Sequence, residues 1–438
     1  MGRQSRLLAV TLAASLHGRL AAVAVAAVLS AIACARSAPR IATAVEWAGR
    51  GTWIKADFHS HSRFSDGSHT IEEIVTTAAT FGCEAVAVAD HSDGGLKGAG
   101  PEYLEAVRAA RAAHPGVIIP AALEWNVPPG KGQEHAIVLL PTAMDNAEML
   151  ASFKQKFDDQ NKEGENPKLA LQGLAALARA TRDGVAPVVF FSHPSRRPRS
   201  TSLPASTMAR LKRAAPGILM GVEGGPGHQK DRQLASYPDQ SFLLDRWDTV
   251  VATPGGAWDQ WLGQGLTLWG ALTNSDFHNT KDGFWPCQFS ATWIYVPERT
   301  VEGVIRALRA GSFFGEHGHI VSEANLQLTF AGLSRPAMAG ETVTAAAGAN
   351  GTATLRLTIP PVDYAGQPNR VDLVELLAIA PARTEIVFSG APAGDKAFEV
   401  PITVPPGGFV LRARGKRNVE GGPGLMFYTN PIRVTAPA

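Results

Sequence analysis

Short apolar runs that adjoin a histidine or a carboxylate recur along the first two thirds of the chain. Five of the six runs lead into such a residue, and the sixth begins with one. Buried parallel strands gather the side chains of their carboxyl ends at one mouth in barrel-like α/β folds. The pattern therefore predicts a cluster of polar side chains at one end of a barrel. The runs and their polar residues are 53–58 with His59, 86–89 with Asp90 and His91, 118–123 with Glu124, 136–140 with His135, 188–191 with His193, and 266–272 with Asp276.

Helical patterns alternate with these runs as far as residue 310. One helix opens on a capping-box pair, Thr70 and Glu73. Alternating strands and helices are typical of an α/β fold with a mostly parallel sheet. The predicted helices are 70–81, 101–113, 145–161, 169–181, 202–214 and 300–310.

The pattern changes near residues 311–320, where helices give way to short alternating strands separated by Gly, Pro and Asn. Such strands predict a β-sandwich-like domain. No histidine follows residue 319, so we expect no metal chemistry there. The predicted organisation is a leader at 1–38, a barrel at 45–319 and an all-β domain at 320–438.

The first 38 residues have the pattern of a signal peptide. Arg3 and Arg6 precede an Ala-rich apolar run at residues 20–34, which is short for a membrane span. We expect cleavage after small residues and export to the periplasm or the medium. Two alternatives stay open, an uncleaved N-terminal anchor and a lipid anchor at Cys34. Any membrane contact would run through this segment.

Three cysteines do not make a disulfide framework. An oxidising compartment would allow a Cys83–Cys287 bridge, but nothing in the sequence brings these two residues together. We therefore expect Cys83 to be a small buried side chain. Basic and acidic residues number 41 and 39, and no basic stripe dominates, which argues against a nucleic-acid surface.

The stretch HSHSRFSDG, at residues 59–67, is the strongest chemical signal. His59 and His61 follow a strand-like run, and residues two apart on a strand share a face. Asp66 follows a short turn that Gly67 can relax. With the other runs this gives nine candidate ligands, all with nitrogen or oxygen donors, which suit Zn, Mn or Fe. The candidates are His59, His61, Asp66, His91, Glu124, His135, His193, Asp276 and His278.

At these residues the chain resembles the polymerase-and-histidinol-phosphatase (PHP) superfamily. The matching pieces, in the family's order, are HSHSRFSDG, ADH at 89–91, the strand before Glu124, His135, SHP at 192–194 and SDFH at 275–278. The resemblance covers residues 50–320 and implies a distorted (β/α)7 barrel. LEWN at 123–126, the leader and the C-terminal strands resemble the secreted, carbaryl-hydrolase-like branch.

The resemblance also implies two to three divalent metal ions and a ligand set for each. It gives Glu124 a bridging role and makes Glu124, His193 and Asp276 catalytic. Asp66 stands where some members of the family have a histidine. The implied sets are His59, His61, Glu124 and Asp276 for the first ion, Glu124, His135 and His193 for the second, and Asp66, His91 and His278 for the third.

Charge favours an anionic small-molecule substrate. Three divalent ions would bring six positive charges against three ligand carboxylates, a surplus of three. We therefore expect hydrolysis of a phosphoester by a metal-bridging hydroxide. One alternative is hydrolysis of a neutral carbamate or carboxylic ester, for which tryptophans near the motifs could build an apolar pocket. Another is a degenerate metal-binding module without catalysis. The tryptophans are Trp125, Trp258, Trp261 and Trp285.

Five residues near the motifs are candidates for substrate binding. Arg196 and Arg197 could clamp a phosphate. Glu223 and His228 end another apolar run and could line the site. Outside this set, Asp90 could orient a ligand histidine. His317 and His319 have ligand-like spacing but no nearby acids, so we expect loop histidines there. The five candidates are Arg196, Arg197, Trp125, Glu223 and His228.

Overall fold

The structure is a computed structural model. The leader, Arg197 and His228 lie outside the residues that it describes, so the predictions made for them concern residues of undescribed structure. Among the described residues, no helix combines the length and the apolar character needed to cross a membrane. The described residues are 38–92, 97–128, 134–158, 168–181, 184–196, 205–227, 230, 237–392 and 397–437.

The helices are numbered here in chain order. Short 3₁₀ helices lie at Thr142–Met144 and Gln240–Phe242. The α-helices are α1 Ile71–Thr80, α2 Pro101–Ala113, α3 Ala147–Phe157, α4 Leu169–Arg179, α5 Ala205–Ala214, α6 Thr249–Ala252, α7 Ala257–Gly263 and α8 Val301–Ala310.

The strands are numbered in the same way. The first half of the chain contains β1 Arg40–Thr43, β2 Thr52–Asp57, β3 Ala85–Val86, β4 Ala121–Asn126, β5 His135–Leu140, β6 Val188–Phe191, β7 Leu219–Pro226, β8 Leu243–Leu244, β9 Trp247–Asp248 and β10 Trp269–Asn274. The second half contains β11 Ser290–Val296, β12 Phe313–His317, β13 Glu323–Phe330, β14 Ala337–Met338, β15 Thr342–Thr344, β16 Asn350–Thr358, β17 Leu373–Ala380, β18 Arg383–Gly390, β19 Phe398–Thr403, β20 Phe409–Arg417, β21 Leu425–Thr429 and β22 Ile432–Thr435.

The helices agree well with the sequence prediction. Helix α1 begins at the predicted capping box, in which the Thr70 side chain accepts from Glu73 N and the Thr70 N–H donates to the Glu73 carboxylate at 2.7 Å. Helix α2 has the predicted bounds, and α4 and α8 lie within two residues of theirs. Local periodicity and caps were therefore sufficient to place these helices.

The sheet that carries the candidate site is mixed, so the expectation of a mostly parallel sheet is wrong. Its strand order is β10-β7-β6-β5-β4. Strands β6, β7 and β10 pair in parallel, whereas β4, β5 and β6 pair antiparallel. Only residues 127–134 join β4 to β5, and a parallel crossover needs a dozen residues or more.

Isolated bridges join both edges of this sheet to residues that follow β2 and β3. Ser60 bridges to Phe277 just past β10, and His91 bridges to Glu124 on β4. These contacts curl the strands into a half-barrel, which departs from a regular (β/α)7 arrangement. They also bring the HSHSRFSDG stretch against the ends of β4 and β10, where the other candidate ligands lie.

A second sheet runs across the predicted domain limit at residue 320. Strand β12 pairs with β11 on one side and with β21, from the far C-terminus, on the other. The order of this sheet is β1-β15-β22-β20-β21-β12-β11-β2-β3. A separate sheet, β14-β13-β16-β19, covers the C-terminal core. The C-terminal strands therefore share backbone hydrogen bonds with the half-barrel.

Cys83 and Cys287 form a disulfide bond, so the expectation that they stay apart is wrong. The two residues are 204 positions apart in sequence, and their Cα atoms are 5.6 Å apart. Lys55 on β2 binds near both cysteines: its Nζ donates to Phe81 O, two residues before Cys83, at 3.0 Å and to Cys287 O at 2.9 Å. The bond ties the loop that follows His278 to the turn after α1.

Candidate metal centre

Glu124 lies at the middle of the candidate centre. Strand β4 positions it with 1% of its surface exposed. Its two carboxylate oxygens lie within 3.4 Å of nitrogens from five histidines. Oε1 is 3.1 Å from His59, 3.3 Å from His135 and 3.2 Å from His193, and Oε2 is 3.4 Å from His61 and 3.2 Å from His91.

Asp276 closes a second side of the centre. Its Oδ1 lies 3.3 Å from Nε2 of both His59 and His61. Asp276 has a φ of 47° and His193 a φ of 27°, both in the region that non-glycine residues seldom adopt. Backbone strain of this kind concentrates at binding and active sites, because the surrounding structure must hold it in place.

Asp66 forms the outer side of the centre. Its Oδ2 lies 3.4 Å from His278 Nε2 and 3.6 Å from His91 Nε2. Its Oδ1 lies 3.3 Å from His61 Nδ1. The Asp66 side chain is 47% exposed, whereas that of Glu124 is almost fully buried. The structure thus places all nine predicted candidates around one centre.

Three groups have donor atoms within 4.8 Å of one another. They overlap the sets implied by the resemblance, although His61 and His91 each belong to two groups. His193 reaches the centre through its contact with Glu124. The groups are His61, Asp66, His91 and His278; His59, His61 and Asp276; and His91, Glu124 and His135.

The donor atoms fit divalent ions. His59 Nε2, His61 Nε2, His91 Nδ1 and Asp276 Oδ1 are buried and make no hydrogen bond to the described residues. Buried polar atoms normally have a partner, and these atoms point at one another. Imidazole nitrogens and carboxylate oxygens that converge in this way are the usual ligands of Zn²⁺ and similar ions.

Without ions, the histidines and carboxylates stabilise one another's charged forms. Burial disfavours a charged His59, but Glu124, Asp276 and Glu223 outweigh it and raise its pKa well above the ordinary value. Burial likewise opposes a charged Glu124, yet the surrounding histidines hold its pKa well below the ordinary value. Burial lowers the pKa of His193 to about 3, so its ring is neutral and able to donate a lone pair.

Glu223 lies behind the centre, against the ring of His59, and its contact with substrate stays a prediction. It is fully buried, and both of its oxygens lie 3.2 Å from His59 Nδ1. It also accepts from Asn274 Nδ2 at 2.8 Å and from the His193 N–H at 3.2 Å. Glu223 therefore fixes the ring of His59 with Nε2 facing Glu124, as carboxylates behind ligand histidines do.

Asp90 holds the loop of the HSHSRFSDG stretch, in line with the predicted supporting role. Its carboxylate accepts from the N–H and the hydroxyl of Ser62, at 2.8 and 2.7 Å. Gly67 packs against the same loop, because a Cβ there would lie 2.0 Å from His61 O. Only glycine allows this approach.

Other predicted contacts divide into two kinds. Arg196 reaches the centre, with Nη1 3.4 Å from His193 Nε2. Trp125 is fully buried in the core, and its Nε1 donates to Phe157 O at 2.7 Å. Trp258 and Trp261 are buried as well.

The expectation of a loop at His317 is wrong. His317 ends β12, is fully buried and stacks on Phe289 with ring centroids 5.5 Å apart. The sheet that crosses residue 320 accounts for this burial, because β21 covers the strand. His319 lies in a turn with a φ of 55°, and its Nε2 is 3.0 Å from Cys287 O.

Sequence reasoning missed two residues that support the centre. Asn274 accepts from Phe58 N at 2.7 Å and donates to Glu223. Asp57 accepts from Ser275 N at 2.8 Å, and burial raises its pKa to about 7. Both adjoin ligand motifs, at the ends of β10 and β2. A polar residue at the end of an apolar run was the available signal.

The middle of the candidate centre lies within one recognised domain. Residues 57–193 match the PHP domain. No curated protein matches the chain significantly. The PHP domain contributes seven of the nine candidates; Asp276 and His278 follow it along the chain.

Solved structures that are similar to the chain include two proteins from bacteria. One is a two-domain protein from Bacteroides vulgatus, described as containing a predicted PHP-like metal-dependent phosphoesterase. The two chains are 16% identical, the match covers 88% of this chain and 95% of that chain, and the TM-score is 0.41. The other, from Bifidobacterium adolescentis, is described as a putative metal-dependent phosphoesterase, with 18% identity, 51% and 87% coverage and a TM-score of 0.28.

Proposed function

We propose that the protein is a metal-dependent hydrolase that acts on phosphoesters. The observation that carries the proposal is the convergence of five histidine nitrogens on the buried carboxylate of Glu124. Two to three divalent ions, Zn, Mn or Fe, are the proposed cofactors. When bound, such ions activate water and polarise a phosphoryl group.

The chain's own residues supply the remaining functions. Glu124 and Asp276 balance charge among the ions and keep the donor nitrogens directed inward. Glu223 holds His59 in one orientation. The guanidinium of Arg196, beside His193, would bind a phosphoryl oxygen of the substrate. The surplus of positive charge favours this anionic substrate over a neutral one.

The carbamate alternative rests on the branch resemblance and on the aromatic residues near the motifs. Trp125, Trp258 and Trp261 pack the core, whereas Trp285 is partly exposed and stacks on Phe277 with ring centroids 4.3 Å apart. The resemblance to the carbaryl-hydrolase-like branch stays a hypothesis about relatedness.

The test is a hydrolysis panel on protein reconstituted separately with Zn²⁺, Mn²⁺ and Fe²⁺. Aryl phosphate mono- and diesters are compared with aryl carbamates and carboxylic esters. We expect phosphoester hydrolysis that disappears after chelation and returns with one of the metals. Preferential hydrolysis of the carbamates would contradict the substrate class, and activity unaffected by chelation would contradict the metal dependence.

We also propose that the protein is exported. The support is the leader pattern at residues 1–38 and the Cys83–Cys287 bond, since stable disulfides form mainly outside the reducing cytosol. N-terminal sequencing of protein from its native host is expected to begin after the region of residues 31–35. An intact Met1 on protein recovered from the cytosol would contradict export.

A further inference from the structure

Asn126 lies beside the centre but outside the ligand set. It is two residues past Glu124 on β4, and residues two apart on a strand share a face. In the β4–β5 register it lies directly opposite His135. Side chains paired in this way have Cβ atoms about 5 Å apart. Asn126 is 1% exposed, like Glu124.

Asp158 fixes the orientation of the Asn126 amide. Asn126 Nδ2 donates to Asp158 Oδ2 at 2.9 Å, and the Ser92 hydroxyl donates to the same oxygen. Because Asp158 Oδ2 accepts from both groups, the amide nitrogen of Asn126 faces Asp158. Asn126 Oδ1 therefore points away from Asp158, and it is buried with no hydrogen-bond partner among the described residues.

Ser192 lies on the other side of His135. Its N–H donates to His135 O at 3.0 Å, which continues the register in which Ala136 pairs with Phe191. The Ser192 hydroxyl is also buried with no hydrogen-bond partner among the described residues. Two neutral polar groups thus flank one candidate ligand, and buried groups of this kind need a partner.

We propose that Asn126 and Ser192 form a subsite that binds two neighbouring hydroxyl groups of the substrate. This inference rests on the proposed phosphoesterase function and narrows its substrate class to phosphate esters of polyhydroxy alcohols. An amide oxygen accepts only, and an ionised phosphate also presents only acceptors, so Asn126 does not suit the phosphoryl group itself. One alcohol O–H can donate to Asn126 Oδ1, and the oxygen of the second hydroxyl can accept from the Ser192 hydroxyl on the other side of His135.

A site built to bind a hydroxyl rejects the analogue that lacks it, because the buried partners are then left unpaired. The test compares glycerol 1-phosphate with propyl phosphate, which differ only in the two hydroxyls. On the metal-loaded wild type we expect kcat/KM to be at least about tenfold higher for glycerol 1-phosphate. Asn126→Ala and Ser192→Ala are each expected to reduce that ratio severalfold, mainly by lowering the value for glycerol 1-phosphate.

Two controls separate recognition from folding. Asn325→Ala, on β13 and far from the centre, is expected to leave the ratio unchanged. Asp158→Asn removes the acceptor that orients Asn126, so it should reduce the ratio like Asn126→Ala. Elemental analysis is expected to find wild-type metal content in all variants. Loss of metal from Asn126→Ala would overturn the proposal, because Asn126 would then support an ion and not a substrate.

A second readout does not depend on turnover. Calorimetry measures binding of the non-hydrolysable phosphonate analogues of the two esters to metal-loaded protein. Tighter binding of the hydroxyl-bearing analogue, lost in Asn126→Ala, supports the subsite. Equal binding of both analogues overturns it even if phosphoesters are hydrolysed. If the aryl phosphate panel shows no hydrolysis, the proposed function fails, whereas the phosphonate result still decides whether a hydroxyl is recognised.

Discussion

At the scale of single residues, the centre depends on carboxylates placed between histidines. Glu124 contacts more ring nitrogens than any other candidate, and it does so from a buried strand. Glu223 stands one layer behind and contacts the far side of His59. Substitutions at these two residues therefore test different functions, holding ions and orienting a ligand.

Glu124→Gln is expected to lose most hydrolytic activity and at least one ion per chain. The amide keeps the shape but loses the charge and one good ligand oxygen. Adjacent cations then repel with less compensation. Metal stoichiometry and kcat/KM are measured beside Glu102→Gln, whose side chain is 72% exposed and which should behave as wild type. Full metal content with full activity in Glu124→Gln would show that the carboxylate is dispensable.

Glu223→Gln is expected to weaken metal affinity about 10- to 100-fold while leaving the fold intact, as loss of a group that orients a ligand does. The amide can present N–H to His59 Nδ1 and so disturb its ring orientation. Competition with a chelator measures the affinity, and circular dichroism checks the fold. Unchanged affinity would mean that His59 is oriented by other contacts.

Most candidate ligands could be predicted from sequence because they adjoin an apolar run, and Asp66 because it shares a motif with His59 and His61. Asp90 could be predicted as a support because it precedes His91. The contact between Glu223 and His59 could not, because the two residues are 164 positions apart. Asp158 lies past the end of α3 in a stretch without any motif.

At the scale of elements, one carboxylate ties the loop that carries His193 to a neighbouring helix. Asp248, at the end of β9, caps α6 by accepting from Val250 N at 2.8 Å. It also accepts from Ser195 N at 2.8 Å and from the Tyr237 hydroxyl at 2.7 Å. These bonds favour the ionised form, but burial outweighs them and raises the pKa of Asp248 to about 6.

Asp248→Asn is expected to destabilise the protein, and more at pH 4 than at pH 7. The pKa of Asp248 in the folded protein exceeds the unfolded value of 3.8, so the folded state binds the proton more tightly. Protonation of Asp248 therefore stabilises the wild type at low pH, and this contribution is lost as pH rises from about 4 through 6. Asparagine does not titrate, so the difference in unfolding free energy should shrink by about 1–3 kcal/mol over that range. Urea unfolding at both pH values measures it, and a constant difference would contradict the raised pKa.

Helices could be predicted because their periodicity and caps are local, as at Thr70 and Glu73. Strand direction could not be predicted in the same way. Strands β4 and β5 have the apolar pattern of any buried strand, which does not show their direction. Only the short connection between them excludes a parallel pair. His317 was placed in a loop because its burial depends on β21, more than 100 residues further along the chain.

At the scale of the whole molecule, the two halves are joined by more than a linker. Strand β12 is hydrogen-bonded to both. Arg412 on β20 forms a buried ion pair with Asp259 on α7, with Nε and Oδ1 2.8 Å apart. Its guanidinium also lies 4.9 Å from the ring of Trp258. The C-terminal strands therefore pack against the half-barrel and bury part of its surface.

A chain that ends at Gly318 is expected to aggregate or fail to fold, because β12 would lose its partner β21 and Asp259 would lose its only described cation. Arg412→Met gives a milder test, since leaving a buried charge unpaired costs about 3–5 kcal/mol. Solubility and the denaturation midpoint are measured for both. A soluble, metal-binding fragment of residues 38–318 would show that the half-barrel folds alone.

The graded exposure of the ligands has a consequence for exchange with the surrounding medium. Side chains of Asp66 and His278 are 47% and 29% exposed, whereas those of His59 and Glu124 are 0% and 1% exposed. An ion held by Asp66 and His278 would be accessible to chelators. An ion bound beneath it would be released only after the outer ion had left. Stopped-flow chelation should therefore show a fast and a slow phase, and Asp66→Ala should remove only the fast one. In the exported protein that we propose, occupancy of the outer position would therefore follow the supply of metal in the surrounding medium.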